Sequence, residues 1–118
     1  MATLTPTLTL TSATNDAFTD EYSVSVDDTL SVTGQTEQGK IISTGTSGTT
    51  FIAAASYTKA YVYIKNLSGS ADLEILAAST NVMDLAPGEW AFFPWYGDAD
   101  LKYKQTSGQT FEYAVFEA

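Results

Sequence analysis

Residues 59–67 read Lys-Ala-Tyr-Val-Tyr-Ile-Lys-Asn-Leu, and this stretch has the most regular alternation in the chain. In an extended backbone Val62 and Ile64 point to one side, while Tyr61 and Tyr63 point to the other. Alternation of β-branched and aromatic residues predicts a β-strand with one buried face. The Ser-Gly-Ser sequence that follows predicts the turn that ends this strand.

The segments after this strand repeat the pattern of strand and turn. Leu73 and Ile75 lie on one side of a second predicted strand. Residues 86–89, Ala-Pro-Gly-Glu, suit a type II turn, because proline fixes the first central φ and glycine accepts a positive second φ. Residues 101–105 and 110–116 predict two closing strands. The expected core positions of these two strands are Leu101, Tyr103, Phe111, Tyr113 and Val115.

Residues 89–96 form an aromatic segment, Glu-Trp-Ala-Phe-Phe-Pro-Trp-Tyr. In an extended strand one face carries Trp90, Phe92 and Pro94, and the other carries Phe93 and Trp95. One interpretation places one face in the core and the other under a loop or a second sheet. The alternatives are a contact surface for another subunit, because interface cores are rich in aromatic residues, and a platform on which sugars stack.

The N-terminal third is rich in threonine. In residues 3–11 threonine alternates with Leu4, Pro6, Leu8 and Leu10, which predicts a strand. Because proline has no N–H to donate, this segment suits an edge strand or an extended arm. Two alternatives remain open, an arm that pairs with a neighbouring subunit by strand addition and a first strand of the chain's own sheet.

The next two segments are less regular. Residues 22–33 alternate again, and their apolar positions are Tyr22, Val24, Val26, Leu30 and Val32. The Asp27-Asp28 pair between them predicts a turn. Residues 34–50 are rich in Gly, Thr, Ser and Gln and predict a loop or a weakly paired strand. The Ala53–Ser56 run is compatible with a helical turn.

These patterns predict a single all-β domain over residues 1–118. We expect an antiparallel β-sandwich or a jelly-roll-like barrel with an extended Thr-rich N-terminal strand or arm. The expected parts are the Thr-rich strands or arm at 1–33, a loop-rich segment at 34–50 and the main sandwich at 51–118. A chain of 118 residues with 44% hydrophobic content is long enough to bury one core.

The formal net charge is −9, from 14 acidic residues and five lysines. Such a surface repels nucleic acid and anionic lipid, so we expect neither as a partner. The charge serves solubility in one interpretation and attraction to a basic partner surface in another. The first residues lack a basic segment before an apolar run, and no stretch reaches about 18 apolar residues, so we expect no signal peptide and no membrane span.

The composition removes most catalytic chemistry. Without Cys, His or Arg the chain lacks the usual zinc ligands, a histidine acid–base step and a bidentate phosphate fork. Asp98 and Asp100 could coordinate Ca²⁺, but two ligands fall short of a site, and a solvated loop is the favoured interpretation. We therefore expect no catalytic residues, no cofactor, no metal site and no enzymatic activity, with a small acidic hydrolase as a rival interpretation.

Four segments resemble a known group of proteins. They are Met-Ala-Thr-Leu-Thr-Pro-Thr-Leu-Thr-Leu-Thr at residues 1–11, Tyr-Val-Tyr-Ile-Lys-Asn-Leu at 61–67, Leu-Ala-Pro-Gly-Glu-Trp-Ala-Phe-Phe-Pro at 85–94 and Phe-Glu-Tyr-Ala-Val-Phe at 111–116. They are similar to small structural proteins of tailed bacteriophages, notably those that infect marine cyanobacteria. The resemblance implies a protein of the virion that is synthesised in the host cytoplasm, and it transfers no functional residue.

From this resemblance and the aromatic segments we expect a capsid decoration or cement protein that binds and stabilises the assembled head. Its expected partners are the major capsid protein or other virion proteins, and it is expected to form a homo-oligomer. The alternatives are a neck, tail or fibre-associated structural protein and a carbohydrate-binding β-sandwich module. The expected protein-interface residues are Leu4, Leu8, Leu10, Tyr61, Tyr63, Phe93, Trp95 and Tyr96.

Overall fold

A computed structural model describes residues 2–11, 23–33 and 36–118. The chain divides into two units, Met1–Thr33 and Gly34–Ala118. The described residues form twelve strands and no helix, which confirms the expected all-β class. The strands are β1 (Ala2–Leu4), β2 (Thr7–Thr11), β3 (Ser23–Asp27), β4 (Leu30–Val32), β5 (Thr36–Ile42), β6 (Thr49–Ile52), β7 (Lys59–Asn66), β8 (Leu73–Ala77), β9 (Thr80–Leu85), β10 (Trp90–Tyr96), β11 (Leu101–Lys104) and β12 (Thr110–Glu117).

The first unit is a two-stranded antiparallel ribbon. β1 pairs with β4, and β2 pairs with β3. The strand pairing is interrupted between these two pairs of strands. The register is continuous across this interruption, because Leu4 is opposite Leu30 and Thr7 is opposite Asp27. The backbone N–H of Asp28 donates to the carbonyl oxygen of Pro6 at 3.2 Å within this interruption. Residues 3–11 therefore pair with their own chain, and both predicted strands of this region are present.

Directly opposite residues in an antiparallel pair share a face, so the ribbon has an apolar side and a polar side. The apolar side carries Leu8 opposite Val26 and Leu10 opposite Val24. The predicted turn at Asp27-Asp28 is wrong. The chain keeps its direction there, since the paired register continues on both sides of this point. The expected strand position of Tyr22 lies outside the described residues.

The second unit contains two four-stranded antiparallel sheets. The front sheet has the order β10-β7-β12-β5, and the back sheet has the order β6-β11-β8-β9. They pack into a sandwich, which confirms one of the two expected architectures, and they do not close into a barrel. Most connections cross between the sheets, whereas β8 and β9 form a hairpin within the back sheet.

The predicted turn between β9 and β10 is confirmed. The N–H of Glu89 donates to the carbonyl oxygen of Ala86 at 2.9 Å, which closes the turn. Gly88 has a φ of +84°, a value that glycine adopts without strain. The turn directs the chain from the back sheet into β10 of the front sheet.

The core lies between the two sheets and is aromatic at its centre. The front sheet contributes Val62, Ile64, Phe111 and Val115, and the back sheet contributes Leu73, Ile75, Leu101 and Tyr103. The ring centroids of Tyr103 and Phe111 are 5.0 Å apart, and those of Phe51 and Phe111 are 5.5 Å apart. Burial of each such side chain stabilises the fold by about 1.5–3 kcal/mol. The core positions predicted in the last two strands are confirmed, with Tyr113 half-buried at the margin.

A buried polar side chain joins the ends of several strands. Asn66, the last residue of β7, is fully buried, and its Nδ2 donates to the carbonyl oxygens of Ala71 and Leu85 at 2.8 and 3.0 Å. Its Oδ1 accepts from the N–H of Ser68 at 3.0 Å and from Nε2 of Gln105 at 2.9 Å. These four bonds use both donors and both acceptor positions of the amide, so its burial is compensated.

The structure refines two expectations for the residues before β7. For residues 34–50 the sequence predicts a loop-rich segment or a weakly paired strand, and Thr36–Ile42 is a strand that pairs with β12 along its whole length. The sandwich therefore begins before residue 51. The strand is polar because it is the edge of the front sheet, with Gln38 and Lys40 exposed. Ala53–Ser56 is a tight turn and not a helical one, since Ala55 has a φ of 65°.

We predict that Asn66→Ala lowers the free energy of unfolding by about 2–4 kcal/mol, because it leaves several buried partners without hydrogen bonds. Urea denaturation followed by tryptophan fluorescence measures this, since both Trp90 and Trp95 lie in the second unit. The control is Asn81→Ala at an exposed position of β9, where the expected change is under about 1 kcal/mol. Equal effects of the two substitutions would show that the Asn66 network does not stabilise the sandwich.

Candidate protein-interaction surface

The outward side of the front sheet carries six aromatic rings, and we call this surface the aromatic face. Its rings are Tyr61, Tyr63, Trp90, Phe92, Tyr96 and Phe116. The strands β7, β10 and β12 present these rings because their alternate residues point into the core. Trp90 is 53% exposed and Tyr96 is 62% exposed, while the other four rings are half-buried. The core is filled without these rings, so they remain available for contacts outside the fold.

Pairing with β7 determines which side of β10 faces outward. Phe93 lies opposite Val62 and Trp95 lies opposite Ala60, both on the buried side of β7. The large Trp95 ring packs where the small Ala60 leaves space, and Trp95 is only 8% exposed. Phe93 packs against the same core. The structure therefore places Phe93 and Trp95, two of the predicted interface residues, on the core side of β10, where Trp95 is buried and Phe93 is half-buried.

The outward side of β10 carries Trp90 and Phe92. Neither of them is among the interface residues predicted from the sequence. The alternation had grouped these two residues with Pro94, but alternation does not identify the outward side. Tyr61, Tyr63 and Tyr96 were predicted interface residues, and the structure places all three on the aromatic face with them.

Ring contacts order one end of the aromatic face. The rings of Tyr61 and Phe92 are nearly parallel, with an interplanar angle of 14° and centroids 6.2 Å apart. The ammonium of Lys59 lies 5.3 Å from the centroid of Tyr61 and 5.5 Å from that of Tyr96. Both distances fall within the range of cation–π attraction. The rings and the ammonium therefore restrain one another before any partner arrives.

A hydrogen bond orders the other side of the face. Tyr63 donates its hydroxyl proton to Oε1 of Glu112 at 2.9 Å. Burial, followed by this hydrogen bond and the nearby negative charge, raises the pKa of Tyr63. Beside the Tyr63 ring lies an open depression of about 430 Å³, lined also by Gln38, Lys40 and Ala114. The small Ala114 side chain leaves this space between larger neighbours, and a partner side chain could enter it.

The ribbon of the first unit holds the remaining predicted interface residues. Leu8 is 38% exposed and Leu10 is 46% exposed on its apolar side, and Val26 beside them is 51% exposed. Leu4 is half-buried. Apolar residues that remain exposed on the ribbon favour contact with another surface.

A second polar cluster fixes the edge strand β5 to the rest of the sandwich. The carboxylate of Glu37 accepts hydrogen bonds from the hydroxyls of Tyr57 and Tyr113 at 2.8 and 3.2 Å. Burial, together with the hydrogen bond and charge of Glu37, raises the pKa of Tyr57 to about 12. Burial and the same carboxylate also raise the pKa of Tyr113. Each tyrosine is therefore held in its protonated form, as a hydrogen-bond donor.

Asp98 and Asp100 follow the end of β10, and Asp100 makes a structural contact. Oδ1 of Asp100 accepts a hydrogen bond from the N–H of Ala54 at 2.7 Å, which connects two loops. In residues 2–11, 23–33 and 36–118, no group of three or more Asp, Glu, His or Cys side chains is placed to hold a metal ion. The described part of the chain also contains no helix with the length and apolarity that a membrane span requires.

Comparisons of the chain with protein-family models, with curated proteins and with solved structures find no significant match.

We predict that the free energy of unfolding falls as the pH rises from 10 towards 12. The raised pKa of Tyr57 means that its contribution is fully present below pH 10 and is lost as pH approaches the folded value of about 12. Glu37→Gln should make this decline shallower, because it removes the charge that disfavours tyrosinate. Burial, the larger cause, remains.

Thermal melts between pH 9 and pH 12 measure the decline. Asp98→Asn is the control, because it removes the same charge from an exposed loop residue. Identical alkaline declines for Glu37→Gln and Asp98→Asn would contradict the predicted role of the Glu37 cluster.

Proposed function

We propose that this chain is a structural protein of a tailed-bacteriophage virion, a head decoration or cement protein that binds the assembled shell through its aromatic face. The observation that carries the proposal is six rings on the outward side of a sheet whose inward side already fills the core. Aromatic residues at such positions are typical of interface cores. The resemblance of four segments to phage structural proteins supplies the virion as the setting.

The dimensions of the aromatic face favour a modest contact that is repeated many times. Four strands about 4.8 Å apart, with seven residues each at about 3.4 Å, span a plane of roughly 450 Å². A standard stable interface buries about 800 Å² on each partner. A single contact through this face is therefore weak, and attachment of several linked copies to a repeating shell would raise the overall affinity.

Other parts of the chain fit the same proposal. Leu8 and Leu10 on the ribbon offer a second apolar contact, to a neighbouring copy or to the shell. The overall charge of −9 keeps decorated particles apart in solution once the aromatic face is covered. The proposed partners are the major capsid protein or other virion proteins, and the proposed state is a homo-oligomer.

We predict that the protein occurs in purified virus particles at stoichiometric levels and that Trp90→Ser weakens its binding to them about tenfold or more. Mass spectrometry of particles measures the first outcome, and cosedimentation of the added protein with stripped particles measures the second. The matched control is Val82→Ser on β9, since Val82 is 52% exposed and Trp90 is 53% exposed. Absence from the particles would overturn the virion role, and equal binding of the two variants would overturn the role of the face.

A carbohydrate-binding module is a second candidate, and one observation favours it. The exposed Trp90 ring lies opposite Lys65 on the neighbouring strand, so a flat aromatic surface adjoins a polar group. Such a pair suits a sugar ring, which stacks on the aromatic and bonds to the polar group. Strong glycan-array binding that Trp90→Ser abolishes, together with no cosedimentation with particles, would favour this candidate over the virion role.

A further inference from the structure

The charges on the aromatic face differ in sign from the charge of the whole chain. Three of the five lysines project from its strands, Lys40 from β5 and Lys59 and Lys65 from β7. The acid on the described outward strand positions is Glu112, which leaves a local excess of two positive charges. The net charge of the chain is −9. The aromatic face is thus a basic area on an acidic protein.

The contacts of Glu112 and Lys59 strengthen the basic character of the aromatic face. Glu112 lies between Lys65 and Lys40 in the strand register and already accepts the Tyr63 hydroxyl proton, so part of its hydrogen-bonding capacity is used. The ammonium of Lys59 is restrained near the Tyr61 and Tyr96 rings at 5.3 and 5.5 Å. Restraint of a long side chain before binding reduces the entropy that an ion pair would cost.

We propose that the partner of the aromatic face is an acidic protein surface, on which carboxylates flank apolar side chains. The carboxylates would pair with Lys59 and Lys65, and the apolar groups would cover the Trp90, Phe92 and Tyr61 rings. This inference rests on the proposed function and adds the chemistry of the partner to it. An acidic partner repels the remaining acidic surface of the chain, so the same charges favour approach with the aromatic face first.

The back sheet provides a matched control for a charge-reversal experiment. Lys59 and Lys65 of β7 and Lys102 and Lys104 of β11 are all half-buried strand lysines on different sheets. The double variants K59E/K65E and K102E/K104E lower the net charge by the same amount, so total charge cannot explain a difference between them. Thermal unfolding of each variant confirms that it is folded.

Cosedimentation with stripped virus particles at increasing NaCl concentration is the first measurement. We expect K59E/K65E to bind about tenfold more weakly than K102E/K104E at low salt. The difference should diminish near 1 M NaCl, where the Debye length is about 3 Å. If wild-type protein binds the particles but the two variants bind them equally, the acidic-partner inference is overturned and the virion role stands.

The second measurement does not depend on the virus. NMR titration compares a hexapeptide that alternates glutamate with phenylalanine and one that alternates lysine with phenylalanine. We expect the glutamate peptide to shift amide signals of β7 and β10 more than the lysine peptide does.

These measurements separate the two proposals. If wild-type protein fails to bind particles at any salt concentration, the virion role is overturned, and the peptides then test the charge preference alone. Equal or stronger shifts with the lysine peptide would overturn the inference. Selective binding of acidic glycans without particle binding would overturn the choice of a protein as the partner.

Discussion

The burial of one side of β7 is the constraint on which the second unit depends. Ala60, Val62, Ile64 and Asn66 are fully buried on that side, and β7 pairs with both β10 and β12. A shift of either neighbour by one residue would move its entire inward set to the surface. The hydrophobic effect at β7 therefore sets the register of the front sheet, and the register places the six rings of the aromatic face outside.

This arrangement separates the residues that stabilise the fold from those proposed to bind. Phe93 and Trp95 pack on the core, whereas Trp90 and Tyr96 on the same strand are largely exposed. Substitution of Trp90 or Tyr96 removes little buried surface, so stability and binding can be measured independently at these two positions. The Asn66 network stabilises the end of β7 without reaching the aromatic face, since its partners lie at Ala71, Leu85, Ser68 and Gln105.

Sequence reasoning succeeded where local signals are strong. The alternation at residues 59–67, the Pro-Gly turn at 86–89 and the core positions of the last two strands all agree with the structure. It left residues 36–42 open between a loop and a weakly paired strand, because an edge strand needs few apolar side chains and pairs only with distant β12. It also failed for the sides of β10, since a two-residue period defines two faces and leaves open which one is buried.

Composition and local spacing were sufficient for the all-β class, the Pro-Gly turn at 86–89 and the exclusion of histidine, cysteine and arginine chemistry, because these follow from nearby residues or from simple absence. Long-range strand pairing was needed to bring Trp90 beside Lys65 and to gather Lys40, Lys59 and Lys65 on one surface. The net charge of −9 does not reveal such a basic area, because a total charge carries no information about where the charged residues lie on the surface. The candidate site exists because residues far apart in sequence share one side of a sheet.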